Sequence, residues 1–324
     1  MPERKQTDQN DGAFKLLAVI VLYKMKPSDS ASFNTLQKAI ACLRHEQAEV
    51  KIVLYDNTPE GQYPGELPAG AQYKADVENG GVAKAYNYAL GIAQEEGFDW
   101  LLNLDQDTSL PIDFMCKLYD AAMLVAPLHD VAAIAPSISS DGRAVSPFTL
   151  TKHLRLMRHY PDGFLGISAE NTYAISSAFT IKVSALEAIG GYDSRFSLDF
   201  CDLVIGHRLH CRNLRIYIAG NIRVEHELSV FDLMNRVDLV RYENIQRAEE
   251  AFYDEYLGRI EGIALLSRLF FRLIYKLWRA GATSPYLMIG LRYFCRRLFY
   301  SRKRRMASWK RFLKRRSAAQ NAGD

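Results

Sequence analysis

Short apolar runs alternate along the chain with longer stretches in which apolar residues recur every three or four positions. "LLAVIVLY" (16–23) is almost unbroken and rich in branched residues, the pattern of a strand covered on both faces. "SASFNTLQKAIACLRHE" (30–46) follows with Phe33, Leu36, Ile40 and Leu43 at helical spacing, behind Ser and Asn residues suited to capping. "VKIVLYDNT" (50–58) is a second apolar run and ends in Asp56 and Asn57. Together these pieces predict a βαβ unit. The alternation continues with a strand at "AQYKA", a turn "DVENGG", a helix over 82–96, the strand "WLLNLD", a helix over 111–125 and the strand "VAAIAPSI" (131–138). The expected fold is α/β and Rossmann-like, a mostly parallel sheet flanked by helices.

Beyond residue 140 the period loosens, and Tyr, His, Arg and Gly mix as expected of strands and loops that build a second substrate pocket. A helix, a Gly-Gly turn, an acidic loop and a helix over 202–212 come next. The expected organisation is a leader at 1–14, a catalytic domain at 15–262 with halves at 15–140 and 141–262, and a C-terminal extension at 263–324.

Charge sharpens that division. The formal net charge of +4 joins an acidic body, 25 Lys and Arg against 36 acids in residues 1–262, to an extension with 16 Lys and Arg and one acid. Two parts of the chain therefore face different partners. Five cysteines (Cys42, Cys116, Cys201, Cys211, Cys295) lie scattered without a CxxC pair, which argues against a disulfide framework or zinc cluster and fits a reducing cytoplasm. "MPERKQTDQNDGAFK" lacks the apolar core of a secretory signal and reads as a disordered leader, so the protein is expected to stay in the compartment where it is made.

In α/β sheets ligands gather beyond the carboxyl ends of the strands, and there Asp56, Asn57, Asn79, Asp105 and Asp107 cluster. "LLNLDQDT" ends a strand in two carboxylates one residue apart, hard oxygen ligands whose like charges are uncomfortable without a cation. Mg²⁺ or Mn²⁺, held together with substrate phosphates, suits such a pair. A solvated acidic turn before the helix near Pro111 is the alternative.

The order of these pieces, followed by "GGYDSRFSLDFCD" and "VEHELS", resembles the family 2 glycosyltransferases of GT-A fold, and "NGGVAKAYNYAL" with Asp-Gln-Asp looks most like their bacterial rhamnosyltransferase branch. The resemblance spans about residues 16–230 and makes 15–140 the nucleotide-sugar half and 141–262 the acceptor half. It implies an inverting, metal-dependent transfer of a sugar, such as L-rhamnose from a dTDP- or UDP-linked donor, to a surface polysaccharide or a glycan on a polyprenyl diphosphate. Tyr23, Asp56 and Asn57 would meet the nucleotide, with Asn79, Gly80 and Gly81 turning beneath it. Asp105 and Asp107 would hold metal and diphosphate, and His226 would complete that site unless it is structural. In "SLDFCDLVIGHR", Asp202 lies six residues before Arg208, as the family's base does, with Asp199 as its neighbour; a helix N-cap is the other reading of Asp202. Ala178 departs from the pattern, standing where a glycine is frequent. A nucleotidyltransferase acting on sugar phosphates would also use paired carboxylates, and a membrane-bound scaffold that keeps a nucleotide-binding fold is a reading from another class.

In "IALLSRLFFRLIYKLWR" (263–279), Arg268, Arg272, Lys276 and Arg279 fall on one helical stripe and apolar residues fill the rest. A basic amphipathic extension of this kind suits an anionic membrane surface, here the cytoplasmic face of the inner membrane, with cations on lipid phosphates. The alternative is that 263–300 pack on the catalytic domain. No nucleic-acid-binding motif is present, and nucleic acid is not an expected partner.

Overall fold

The first apolar run becomes β1 (Phe14–Leu22), and β2 (Ala48–Asp56), β3 (Ala71–Ala75) and β4 (Trp100–Asp105) lie parallel beside it. The computed structural model describes residues 14–43, 48–151, 156–226, 237–281 and 283–320; all of the expected leader but its last residue lies outside them. The strands that follow are β5 (Thr108–Ser109), β6 (Val131–Ser140), β7 (Arg143–Ser146), β8 (Phe148–Leu150), β9 (Met157–His159), β10 (Leu165–Ile167), β11 (Thr172–Tyr173), β12 (Phe179–Lys182) and β13 (Arg215–His226). Ten strands form one sheet in the order β10-β13-β6-β12-β4-β1-β2-β3, with β5 on β13 and β7 on β6, while β8, β9 and β11 form a small second sheet. Parallel pairing dominates the core of the large sheet, and β12 runs antiparallel to both β4 and β6.

Alternation along β1 sends Leu16, Ala18, Ile20 and Leu22 to one face and Leu17, Val19 and Val21 to the other, all buried. Helices α1 (Ala31–Cys42) and α3 (Phe114–Val125) cover the first face through Phe33, Leu36, Phe114 and Leu118. The second face packs against α2 (Val82–Glu95), α4 (Val183–Ile189) and α5 (Cys201–Cys211) through Tyr86, Leu90, Leu186 and Ile205. Such two-sided cover is why the central strands read as unbroken apolar runs.

Four further helices, α6 (Leu239–Tyr256), α7 (Arg259–Ala280), α8 (Pro285–Phe299) and α9 (Arg302–Gln320), pack together and against α5. Here the arrangement differs from the expected one, because Arg268, Arg272 and Lys276 of the basic stripe face α6 while Arg279 stays exposed beside Tyr275. Acids on α6 hold Arg272 and arginines of α8 and α9: Arg272 pairs with Glu249 at 2.6 Å, Arg296 with Glu250 at 2.6 Å, and both Arg297 and Arg305 with the buried Asp254. Lys276 is buried over the Tyr242 ring, and burial pushes its pKa down to about 8. Among the described residues no helix is long and apolar enough to cross a membrane.

Candidate active site

The turn that carries the two carboxylates of "LDQDT" is fastened by three neighbouring segments. Ser30 and Ser32, at the start of α1, fasten the turn from below: Ser30 Oγ donates to the Gln106 carbonyl at 2.8 Å, and Ser32 Oγ accepts from Thr108 N at 2.9 Å. The chain then enters β5, which pairs antiparallel with the end of β13 so that Thr108 stands opposite His226. This pairing carries His226, 118 residues further on, into the acidic turn. Its Nε2 lies 3.5 Å from Asp105 Oδ2 and its Nδ1 3.3 Å from Asp107 Oδ1. Ser177 completes the group by donating to Asp105 Oδ2 at 2.9 Å and meeting Thr108 Oγ1 at 2.8 Å. A cavity of about 500 Å³ opens against Asp107 and His226, with Met25, Gln106, Ser140 and Glu225 also in its wall.

The His226 imidazole thus lies within 3.5 Å of both carboxylates, and oxygen and nitrogen donors are ligand types that Mg²⁺ or Mn²⁺ accept. Among the described residues no three such side chains form a ready-made metal cage. Phosphate oxygens and water would therefore have to supply much of the shell, as is usual for Mg²⁺.

The ends of β1 and β2 and the Gly-Gly turn meet beside this group. Tyr23 is exposed and its N–H donates to Gln106 Oε1 at 2.7 Å, which joins the end of β1 to the acidic turn. Asn57 N–H donates to the Leu22 carbonyl at 2.8 Å, and Asn57 Oδ1 accepts from Gly81 N at 3.3 Å. Asp56 is fully buried, with Thr58 Oγ1 donating to it at 2.6 Å and Tyr73 OH at 2.5 Å. In this conformation it braces the turn after β2 and presents no oxygen to solvent. Asp76, unremarked in the sequence, anchors the other side: it accepts from Gly80 N at 3.1 Å and from Tyr55 OH at 2.8 Å, and pairs with Lys84 at 2.9 Å. Asn79 and Gly81 both adopt positive φ. A Cβ on Gly81 would sit 2.4 Å from the Ser197 carbonyl oxygen, so only glycine allows the loop before α5 to lie against this turn.

That loop carries the third carboxylate group. Phe200 takes a left-handed conformation just before α5 begins at Cys201, and Asp202 falls in the first turn with its Oδ1 accepting from Leu203 N at 2.8 Å. Burial raises the Asp202 pKa to about 6 against that local hydrogen bond, and the charges of Asp105 and Asp199 add to the rise. The Asp105 charge therefore reaches the loop that carries Asp202. Burial also raises the pKa of Asp199, opposed by Arg241, whose Nη2 lies 3.9 Å away. Arg241 stands at the start of α6, so the first helix of the C-terminal bundle contributes directly to this wall. Arg208 is occupied elsewhere, bound to the Gly191 carbonyl at 3.1 Å and to Asp193 at 3.2 Å.

Sequence reasoning missed Ser177, Asp76 and Arg241. The only local signal was a carboxylate four residues before Gly80; the others are brought in by tertiary contacts. Ala178, next to Ser177, is buried at φ +58°, a region costly for any residue with a Cβ. Ala178→Gly is expected to stabilise the fold by about 1 kcal/mol, read as a higher denaturation midpoint. An unchanged or lower midpoint would mean that the turn is not strained.

No protein-family model matches the chain, and no curated protein matches it by sequence. The structure is similar to solved ones. Residues 1–349 of S. aureus TarS superpose with a TM-score of 0.54 at 12% identity, over 87% of this chain and 80% of that one. TarS in complex with UDP-GlcNAc gives 0.53 at 14% identity, over 87% and 81%. GalNAc-T7 with UDP, GalNAc and Mn²⁺ gives 0.53 at 12% identity, over 90% of this chain and 57% of that one. These neighbours are glycosyltransferases of the GT-A class, and the chain has the GT-A fold.

Proposed function

We propose that the protein is an inverting, metal-dependent glycosyltransferase that moves a sugar from a nucleoside diphosphate to a hydroxyl of a surface polysaccharide or a polyprenyl-diphosphate-linked glycan. One observation carries the reading: Asp105, Asp107 and His226 meet at the carboxyl edge of the sheet, within electrostatic reach of a carboxyl group poised near neutrality, Asp202. The GT-A fold and the nucleotide-bound neighbours support it. The motif resemblance favours dTDP-L-rhamnose as donor, whereas the neighbours were solved with UDP or UDP-GlcNAc, so both nucleotide classes belong in the test. The reading includes a peripheral position on the cytoplasmic face of the inner membrane, where lipid-linked acceptors are made.

The transfer is a single displacement. Asp202 takes the proton of the acceptor hydroxyl as its oxygen bonds to the anomeric carbon, while the bond from that carbon to the diphosphate breaks and the nucleoside diphosphate departs. Asp105 and Asp107, with His226 beside them, would hold Mg²⁺ or Mn²⁺, whose charge offsets the negative charge growing on the leaving group. Ser177 fixes the orientation of Asp105. Tyr23, Asn57 and the turn of Asn79, Gly80 and Gly81 line the nucleotide side, with Asp56 shaping it from behind. Asp199 and Arg241 flank the acceptor side of the base.

Incubation with Mn²⁺ and a panel of dTDP- and UDP-sugars should release nucleoside diphosphate, and chelation by EDTA should stop it. Pyrophosphate release from nucleoside triphosphate and sugar phosphate would favour a nucleotidyltransferase instead, and silence across the panel a non-catalytic scaffold.

A further inference from the structure

With Arg268, Arg272 and Lys276 turned toward α6, α7 shows solvent its apolar side. Trp278 is 82% exposed, Phe271 67%, Ile263 66% and Ile260 62%, and Ile274 and Tyr275 are exposed between them. At 100° per residue these side chains lie on one continuous arc of the helix. On α8 the exposed apolar residues are Met288, Leu291, Leu298 and Phe299, the last 74% exposed, again on one arc. Half-exposed Phe270 meets Phe294 with ring centroids 6.1 Å apart where α7 and α8 touch, so the two arcs adjoin along this seam. A soluble monomer rarely leaves so much aromatic and aliphatic surface together.

Apart from Glu261 in the first turn of α7, the charges bordering this face are positive. Phe299 is followed, after Tyr300 and Ser301, by exposed Arg302, Lys303 and Arg304, and Arg259 lies exposed at the other end of α7. From residue 263 onward the sequence holds one acid. Glu249, Glu250 and Asp254 of α6 are already engaged beneath it by Arg272, Arg296, Arg297 and Arg305. A second copy seated on the same face by two-fold symmetry would bring cation against cation. An anionic bilayer satisfies both features, taking the aromatic residues at its interface and the border cations on its phosphates.

We infer that the outer face of α7 and α8 docks on an anionic lipid bilayer, with Phe271, Trp278 and Phe299 entering the interface, while Arg272 and Lys276 of the basic stripe serve the interior of the bundle. The inference does not rest on the catalytic reading, since a scaffold with this surface would dock equally.

The test is co-sedimentation of the full chain with phosphatidylglycerol-rich vesicles and with pure phosphatidylcholine vesicles. Binding is expected to the first and to be much weaker to the second. The double variant Phe271→Ser and Trp278→Ser should lose about tenfold or more of the partition, since each deletes a buried aromatic anchor. Its melting temperature and its hydrolysis of a soluble donor should stay unchanged, because both side chains face solvent. Arg302→Glu with Lys303→Glu should weaken binding mainly at low salt. Undiminished binding by the aromatic double variant would overturn the inference. So would a concentration-dependent dimer that this variant dissolves, with no vesicle binding by the parent, which would identify a second copy as the occupant.

Discussion

Asp202→Asn is expected to lower sugar transfer by about three orders of magnitude, the middle of the range for loss of a general base, while leaving nucleotide-sugar binding near its original value. The amide can still accept from Leu203 N, so α5 should begin where it does now. Stability should move the other way. With a pKa near 6 in the folded protein and about 4 in the unfolded chain, the native state is the better proton binder between those values, so stability falls as pH rises through that window. Above it the ionised carboxylate costs up to about 3 kcal/mol, which the amide does not incur. The variant should therefore melt higher than the parent at pH 7.5 and alike at pH 4. Transfer by the parent should rise with pH through about 6 as Asp202 ionises. A variant that transfers at the parental rate would remove Asp202 from the mechanism, and one that melts identically at both values would show that its carboxyl is not held in a desolvated site.

The central strands and their helices were legible because each is a local pattern. β1, β2 and β4 are apolar on both faces, and α1 and α2 carry their apolar residues on one side. The antiparallel β12 was not legible, since four residues of "FTIK" look like any short turn-bounded run and its direction is decided by pairing with β4 and β6. β5 is shorter still at two residues, yet it is what brings His226 to the acidic turn. Residue type and position at a strand end singled out Asp56, Asp105 and Asp107 alike, but gave no sign that Asp56 would be buried and bonded to Thr58 and Tyr73. Periodicity in the extension revealed a basic stripe without revealing its direction. Direction depends on which surface holds the opposing charges, and those acids lie in α6, in a stretch whose own pattern is not strongly amphipathic.

Asp254→Ala should be among the most destabilising single changes in this chain, because of that inward turn. Asp254 is 3% exposed, and it accepts from Arg305 Nε at 2.7 Å and Nη2 at 2.8 Å as well as from Arg297 Nη1. Replacing it strands two guanidinium groups that are themselves buried, and breaking a buried pair from one side typically costs about 3–5 kcal/mol. For a domain of this size that corresponds to a fall in melting temperature of roughly 10 °C. Asp254→Asn, which keeps acceptor and shape but removes the charge, should lose less. The damage should also reach the donor side without touching it. α9 is fastened to α6 by Asp254 and Arg305, Arg316 of α9 donates to Ser197 Oγ, and the Ser197 carbonyl rests against Gly81 in the turn proposed to bind the nucleotide. Loosening α9 should therefore weaken nucleotide-sugar affinity several-fold at temperatures where the sheet is still intact, measurable by calorimetry well below the melting transition. A variant that melts as the parent does would mean that the guanidinium groups find water or other acceptors. A lower melting point with unchanged donor affinity would show that the bundle and the Gly-Gly turn are mechanically independent.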